Sequence, residues 1–523
     1  MKTHQIIPCR KCQLCILLLS FFGWAGEGLA DAAATPARYL FLDPAILARV
    51  EGAEIHVNPA QRRETVILPD RPWEKHIISF FLTVRDEGGK LRMWYICRNG
   101  VVVRPDGGMG PSTPDSQANL AYAESSDGIH WTKPSLGIYD YLGSKDNNLV
   151  GVHSLEGVVF QDKNAPAAER YAYVTTGRPL GDKQGPIGIY RYHSPDGLRW
   201  ERDAQPIIQA ASDTQNVVWW DEHRKEYVVI LRGWENGHRK VSRLALPSLT
   251  APTTLKPTGT SPYFNKEIPT ILACDEQDPT RTDIYNMSAQ PYVVDSHWYV
   301  AFPSFLRRWT ATDERRQPGM KRSIGPVEVQ FAGSRDSLQW HRYDRKAYAS
   351  PGIANSANDR DSTDITDTAK KNVVYMGTGM VVRGDEIWQY GTEFESAHGD
   401  IQARKRKTDG VIVRYVQRVD GFVSLDTGNT QGIARTVPVK ITGRRLLLNV
   451  DTGALGEVRV AVLDSDGKAL PGFGFEECVP LEYNGTGAVV SWRGQPDLSS
   501  LEGRELALEF RSNRTKLYSF RFE

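Results

Sequence analysis

Cysteine is scarce in the body of this chain. Of its six cysteines, Cys9, Cys12 and Cys15 fall in the first thirty residues, which leaves Cys97, Cys274 and Cys478 far apart. Three is an odd number, no CxxC pair survives beyond residue 30, and a chain of 523 residues buries a core without staples, so neither a disulfide scaffold nor a cysteine metal site is indicated. The three are expected to be small buried residues. A charge surplus is missing as well: 64 basic against 63 acidic residues give a net charge of +1. Nucleic-acid and membrane-surface partners usually need a basic excess, so neither is expected. Long hydrophobic runs are absent after Ala30, and so are convincing amphipathic periods, because apolar residues alternate or cluster instead of recurring at i, i+3, i+4.

What is present is repetition. Ser125-Ser126-Asp127-Gly128-Ile129-His130-Trp131 returns as Ser194-Pro195-Asp196-Gly197-Leu198-Arg199-Trp200 and as Ser334-Arg335-Asp336-Ser337-Leu338-Gln339-Trp340. The intervals are 69 residues (194 − 125) and 140 (334 − 194), so a degenerate copy is expected between the second and third, at Ser248 to Pro252. A worn copy is read at Arg418-Val419-Asp420-Gly421-Phe422. A second repeat sets an apolar run before an Asp turn and an aromatic strand, with turn residues Asp86, Asp162, Asp221, Asp295 and Asp385. Their intervals of 76, 59, 74 and 90 residues have the scale of a four-stranded sheet with its loops. Short strands, turn residues and a recurring aromatic predict an all-β fold: a five-bladed β-propeller over residues 35–425. The first blade is read as His76 to Val84, Leu91 to Arg98, Asn119 to Glu124 and Ile129 to Thr132. Both repeats stop after Leu425, and alternating strands with Asp-Gly turns predict a β-sandwich over 426–523.

Residues 1–30 open with Lys2, Arg10 and Lys11, continue through the apolar Leu14 to Phe22 and reach Gly28-Leu29-Ala30. That pattern predicts a secretory signal and a secreted or periplasmic protein, since the apolar run is about half the roughly 20 residues a spanning helix needs.

Aspartates that recur once per unit in turns are expected to cap their own backbone N–H groups. The informative acids are those just before each inner strand, where a propeller's ligand funnel lies: Glu74, Glu156, Asp213 and Asp283, with Asp359, Asp361, Asp364 and Asp367 ahead of the fifth. Acids converging from separate blades suit glycosidic bond cleavage, in which one protonated carboxyl donates to the leaving oxygen and one carboxylate acts as base or nucleophile. Glu74, Asp213 and Asp283, with Glu156, are the catalytic candidates. The second strands end in Arg98, Arg178, Arg232 and Arg307, and the fifth in Glu393, Glu395 and His398. The arginines suit an anionic or heavily hydroxylated sugar, or pair with the funnel acids as a structural network. Trp73, Trp234 and Trp309 lie in the same loops and could stack on sugar faces. No cofactor and no metal site is read.

Asp70-Arg71-Pro72-Trp73-Glu74, Arg92-Met93-Trp94-Tyr95, the Ser-x-Asp-Gly-x-x-Trp turns, Asp420-Gly421-Phe422-Val423 and Leu517-Tyr518-Ser519-Phe520 together resemble the five-bladed propeller glycoside hydrolases of families 32 and 43, in particular secreted bacterial family 32-like proteins. The resemblance implies three inner-strand acids, at Glu74, Glu156 and Asp213, as nucleophile or base, orienting residue and acid. The chain departs from those families in having no Trp-Met-Asn-Asp-Pro-Asn-Gly, no Arg-Asp-Pro and no Glu-Cys in the third blade, so the expectation is a glycosidase of unspecified sugar. Two alternatives stand beside it: a non-catalytic glycan-binding propeller and a sialidase-like enzyme, whose Asp-boxes the turns resemble.

Overall fold

A computed structural model describes residues 38–100, 117–154, 156–178, 185, 187–235, 237–251, 253, 255, 268–308, 324–351, 372–399 and 408–523. The expected signal, Trp309 and the acids from Asp359 to Asp367 lie outside these residues. Among the described residues the fold is all-β, with helical turns limited to short 3-10 pieces such as Pro72–Glu74 and Ala167–Glu169. No helix among them is long and apolar enough to cross a membrane.

Strands dominate because the apolar runs are buried on both faces. Within Ile77–Glu87, Ile77 and Phe81 enter one core cluster, while Ile78, Leu82 and Val84 enter another. A strand flanked by two cores reads as an almost continuous apolar run, as this one does. The first sheet is Ile77–Glu87, Lys90–Arg98 and Asn119–Ser125. The second runs Val158–Gln161, Tyr171–Gly177, Gly188–Ser194, Glu201–Arg202. The third runs Val217–Asp221, Glu226–Glu235, His238–Leu246, Thr270–Leu272. A larger sheet starts at Thr282–Pro291 and Tyr299–Arg307, crosses to Val373–Met376 through a parallel bridge from Val327, and continues through Glu386–Phe394 and Val411–Arg418 to Gln61–Ile67. The opening strands Ile77–Glu87, Val158–Gln161, Val217–Asp221 and Thr282–Pro291 lie beside one another in that order, and Val373–Met376 lies beside Ile77–Glu87.

The Ser-x-Asp turns share one geometry. In each, the aspartate Oδ1 accepts from the backbone N–H groups two and three residues on, at 2.8 Å. The serine hydroxyl accepts the N–H three residues on, and the indole N–H closes on the carbonyl of residue 128, 197 or 337. That carbonyl residue has positive φ in all three, which accounts for Gly128 and Gly197 and leaves Ser337 in the left-handed region at 59°. The expected fourth strand of the first sheet, Ile129 to Thr132, does not form; the N–H groups of Ile129 and His130 are held by Asp127, and only Thr132 bridges to Glu124. Ser248 makes a small Ser–Thr turn with Thr250 in place of a full copy.

The hairpin aspartates behave as turn residues too: Asp86, Asp162, Asp221 and Asp295 each accept a nearby backbone N–H. A further repeat was invisible in sequence. Tyr171 donates its hydroxyl to Glu87, Tyr227 to Asp162 and Tyr299 to Asp221, so at three successive junctions a tyrosine opening one sheet's second strand reaches the preceding sheet's first hairpin. Asp162 and Asp221 are buried. Tyr227→Phe and Tyr299→Phe are therefore each expected to cost about 1–3 kcal/mol, because a buried carboxylate loses its donor. Urea unfolding checks this, and losses that add in the double variant would show the two junctions acting independently.

Two further sheets share one core. The first is ordered Ala53–Val57, Val423–Thr427, Lys516–Phe522, Leu446–Asp451, Asn484–Val489, with Arg38–Leu40 on Lys516–Phe522; the second joins Leu47–Glu51, Gly432–Thr436 and Glu505–Asn513, with Val439–Lys440 and Glu457–Leu463 on Glu505–Asn513. Phe41, Leu425, Leu448, Val460, Phe510 and Phe520 pack between them. The strands at 38–57, which the repeat reading placed with the propeller, pair here with C-terminal strands. Asp420 is not a working Ser-x-Asp turn: it is fully buried and takes bonds from Arg38, Tyr292 and Ser519, tying the strands Arg38–Leu40 and Lys516–Phe522 to the large sheet. Cys97 and Cys478 are buried, Cys274 is half-buried, and all three are free thiols.

Candidate functional site

Not all the acids chosen by position come together. Glu74 is fully enclosed: Tyr95 donates to its Oε1 at 2.6 Å, Lys133 to Oε2 at 2.7 Å and the Arg71 N–H to Oε2 at 3.1 Å. Burial raises its pKa, and the Lys133 ammonium works against that rise. The cause of its placement is the turn Pro72–Glu74, which aims the side chain at the first sheet's second strand. Trp73 is buried with it and donates to Asn148 at 2.8 Å, so its indole is not a sugar platform. Glu393 is likewise enclosed, clasped by Arg62 at 2.9 Å and by the Tyr415 hydroxyl at 2.5 Å.

Glu156 and Asp213 do meet. Each stands just before the opening strand of its sheet, and the two chain segments join there through a parallel bridge, Gly157 to Asn216, with the Asn216 N–H donating to the Glu156 carbonyl at 2.6 Å. Glu156 is half-buried, and no described residue hydrogen-bonds its carboxyl. Burial first and the Asp213 charge second push its pKa up to about 8, against the opposing pull of Arg232 and Arg98. Asp213 is more open, with 43% of its side chain exposed, and its Oδ1 takes Arg232 at 2.6 Å.

Arg232 links this pair to the next sheet. Its guanidinium is almost fully enclosed, donates to the carbonyls of Asp213 and Tyr285, and lies 4.4 Å over the Tyr285 ring. Tyr285 in turn stands 4.3 Å from the His398 ring, 5.6 Å from Tyr375 and 6.4 Å from Phe80, and the Tyr375 hydroxyl meets His398 Nδ1 at 2.8 Å. Phe80, Tyr285 and Tyr375 all lie on opening strands, so an aromatic group lies beside the carboxyl pair.

Asp283 belongs to a neighbouring cluster. It is buried, with Oδ2 on Arg239 at 2.7 Å and Oδ1 facing His238 at 3.1 Å and Arg308 at 3.5 Å. Arg239 lies over both Trp234 and Tyr285, at 4.7 and 5.4 Å, which joins the two clusters. Arg178 is exposed and donates to the Gly185 carbonyl. Arg307 lines a separate recess of about 440 Å³ with Phe305, Glu328 and Gln330, where burial raises the Glu328 pKa. Among the described residues no group of three or more His, Cys, Asp or Glu could hold a metal ion.

The sequence reading missed Tyr285, Tyr375, Phe80, His238 and Arg239. The available signal was positional: Phe80, Tyr285 and Tyr375 occupy opening strands, and Arg239 follows Arg232 across the Glu235 to His238 hairpin, where Trp234 pairs with Arg239.

No family model matches the chain, and no curated protein matches it. Solved structures resemble it at low identity. One titled "Glycoside hydrolase" is 13% identical with a TM-score of 0.41, covering 69% of this chain and 92% of its own. An N-acetylgalactosamine deacetylase from F. plautii in complex with blood group B trisaccharide is 13% identical with a TM-score of 0.40, over 71% of this chain and 96% of its own. The Bombyx mori GH32 beta-fructofuranosidase is 10% identical with a TM-score of 0.38, over 89% of this chain and 95% of its own. Likenesses of this depth transfer no activity and no catalytic residue.

Proposed function

We propose that this protein is a secreted or periplasmic glycoside hydrolase, a five-bladed propeller of the family 32/43 kind with a β-sandwich behind it, and that Glu156 and Asp213 are its working carboxyls. The observation that supports this is the paired environment. One carboxyl is half-buried with its pKa raised to about 8, and its neighbour is more exposed and held by a guanidinium. Two carboxyl groups with environments that separate their proton affinities divide the roles glycosidic cleavage needs. Glu156 gives its proton to the leaving oxygen. Asp213 either takes a proton from the attacking water, which gives inversion, or bonds the anomeric carbon directly, which gives retention. Arg232 fixes Asp213, and the buried Tyr285 ring packs against the Arg232 guanidinium. Glu74 and Asp283 take no part in the chemistry of this scheme, since their carboxyls are already spent on Lys133 and Tyr95 and on Arg239.

The test is a screen of the purified protein against neutral and anionic oligosaccharides with product analysis, alongside Glu156→Gln. Cleavage of a glycan by the native protein and not by the variant supports the reading. Binding without turnover across the array would replace it with a glycan-binding propeller.

The shifted carboxyl also has a stability signature. A carboxyl whose folded pKa lies near 8 against an ordinary 4.5 binds its proton more tightly in the folded state. It therefore stabilises fully below about pH 4.5, and that contribution is lost progressively as pH rises to about 8. Relative to Glu156→Gln, which cannot ionise, the native protein should lose thermal stability across that window and hold a constant deficit above it. Melting curves that run parallel from pH 5 to pH 9 would place the carboxyl at its ordinary pKa and remove the proton donor.

A further inference from the structure

His238 Nδ1 is asked to do two incompatible things. It lies 3.0 Å from Arg308 Nη2, which can only donate, and 3.1 Å from Asp283 Oδ1, which as a carboxylate can only accept. One ring nitrogen cannot be acceptor and donor at once, so one contact is always unmet. Asp283 is overdrawn in the same way: a single carboxylate faces Arg239 at 2.7 Å, Arg308 at 3.5 Å and His238. Among the described residues of the joined clusters, the guanidiniums of Arg232, Arg239 and Arg308 face the carboxylates of Asp213 and Asp283. Glu156, protonated at neutral pH, does not redress the balance.

Arg308 and His238 are also on the open side. Their side chains are 19% and 52% exposed, against 1% for Arg232 and 9% for Arg239. A recess of about 380 Å³ opens beside His238, lined by it together with Arg239, Lys240 and Arg281, a size within the roughly 300–1,000 Å³ of ligand sites. Of the acids in its wall, Asp275 and Asp278 are taken by Arg345 and Arg342 at 2.5–2.8 Å and Glu235 by Lys240 at 3.3 Å, while Glu276 lines the same recess. An incoming anion accepting from Arg308 would release His238 Nδ1 to donate to Asp283, satisfying all three groups.

We propose that the glycan taken by this site is anionic, and that a sulfate ester or carboxylate on it pairs with Arg308. The inference rests on the glycan-active reading above, because it places the charged sugar beside Glu156 and Asp213.

Calorimetric titration of the Glu156→Gln protein with matched ligands tests it: carrageenan oligosaccharides against their chemically desulfated counterparts, and oligogalacturonate against its methyl ester. The first pair reports sulfate and the second carboxylate. In at least one pair the charged member should bind about 10-fold or more tighter, weaken as salt rises from about 50 to 500 mM, and lose most of that preference in Arg308→Gln, while the neutral twin is unaffected by that change. No preference for the charged member in either pair, or a preference that survives Arg308→Gln, overturns the proposal. Arg308-dependent binding with no cleavage by the native protein would leave the ligand assignment standing and remove hydrolysis; Glu156-dependent cleavage of neutral glycans alone would do the reverse.

Discussion

Glu156→Gln should lower turnover of a natural glycan by at least about 10²-fold, the usual contribution of a positioned proton donor. The loss should depend on the leaving group. An activated aryl glycoside leaves without needing a proton, so the variant should handle it far better than a sugar leaving group, and the gap between the two substrates should shrink in the native protein. Asp213→Asn removes the carboxylate that acts on the other side of the bond, so it should impair both substrates alike. The pH profile supplies the sign: Glu156 works only while protonated, and its pKa of about 8 puts the fall in native kcat/KM on the alkaline side. Equal impairment of the aryl and sugar substrates by Glu156→Gln would take the proton donor away from Glu156, and an alkaline limb that persists in the variant would assign that titration to another group.

The parts of the fold legible in sequence were those whose hydrogen bonds are local. A Ser-x-Asp turn closes on itself within six residues, so its residue types recur wherever the turn does, and Ser337 could replace glycine because the left-handed position tolerates it at a cost. The Tyr–carboxylate junctions follow an equally regular rule, yet they link residues 65 to 84 positions apart, and a lone Tyr or Asp carries no mark of such a partner. The site divides the same way. Choosing acids that precede an opening strand found Glu156 and Asp213, because strand starts at adjacent sheets converge by construction. The same rule gave Glu74, whose fate was decided by Lys133, 59 residues away; that of Glu393, chosen at the end of a second strand, was decided by Arg62, 331 residues away. Long-range pairing, rather than the acid's own position, determines whether a carboxyl is spent or available. The tail motif around Ser519 was read as family likeness, and its physical role is a bond to Asp420 that no local pattern announces.

Gly379→Ala should be among the most damaging single changes in the chain. The large sheet reaches back to the first sheet at two points on Ile77–Glu87: Val84 donates to the Thr378 carbonyl at 2.9 Å, and Ile78 to that of Asp409 at 3.2 Å. A glycine follows each contact. Gly379 has φ +98° and a Cβ there would stand 1.8 Å from the Val84 carbonyl oxygen; Gly410 has φ +87° and its Cβ would stand 2.1 Å from that of Ile78. Both collisions are with backbone, so no side chain can rotate away, and relief requires parting the first and last strands of the array along its inner edge. The expected cost is roughly 3–5 kcal/mol for either change, the range reserved for forced backbone displacement in a packed interior. Gly384→Ala is the control, since Gly384 has φ +58° with nothing within 4 Å of the added Cβ. It should cost only about 1–2 kcal/mol for the left-handed conformation. Thermal unfolding of the three variants separates the cases. If Gly379→Ala and Gly410→Ala melt with Gly384→Ala, the contact between first and last sheets gives way easily; if both fall well below it, that contact is what holds Phe80 on the first opening strand against Tyr285 and Tyr375 beside the candidate site.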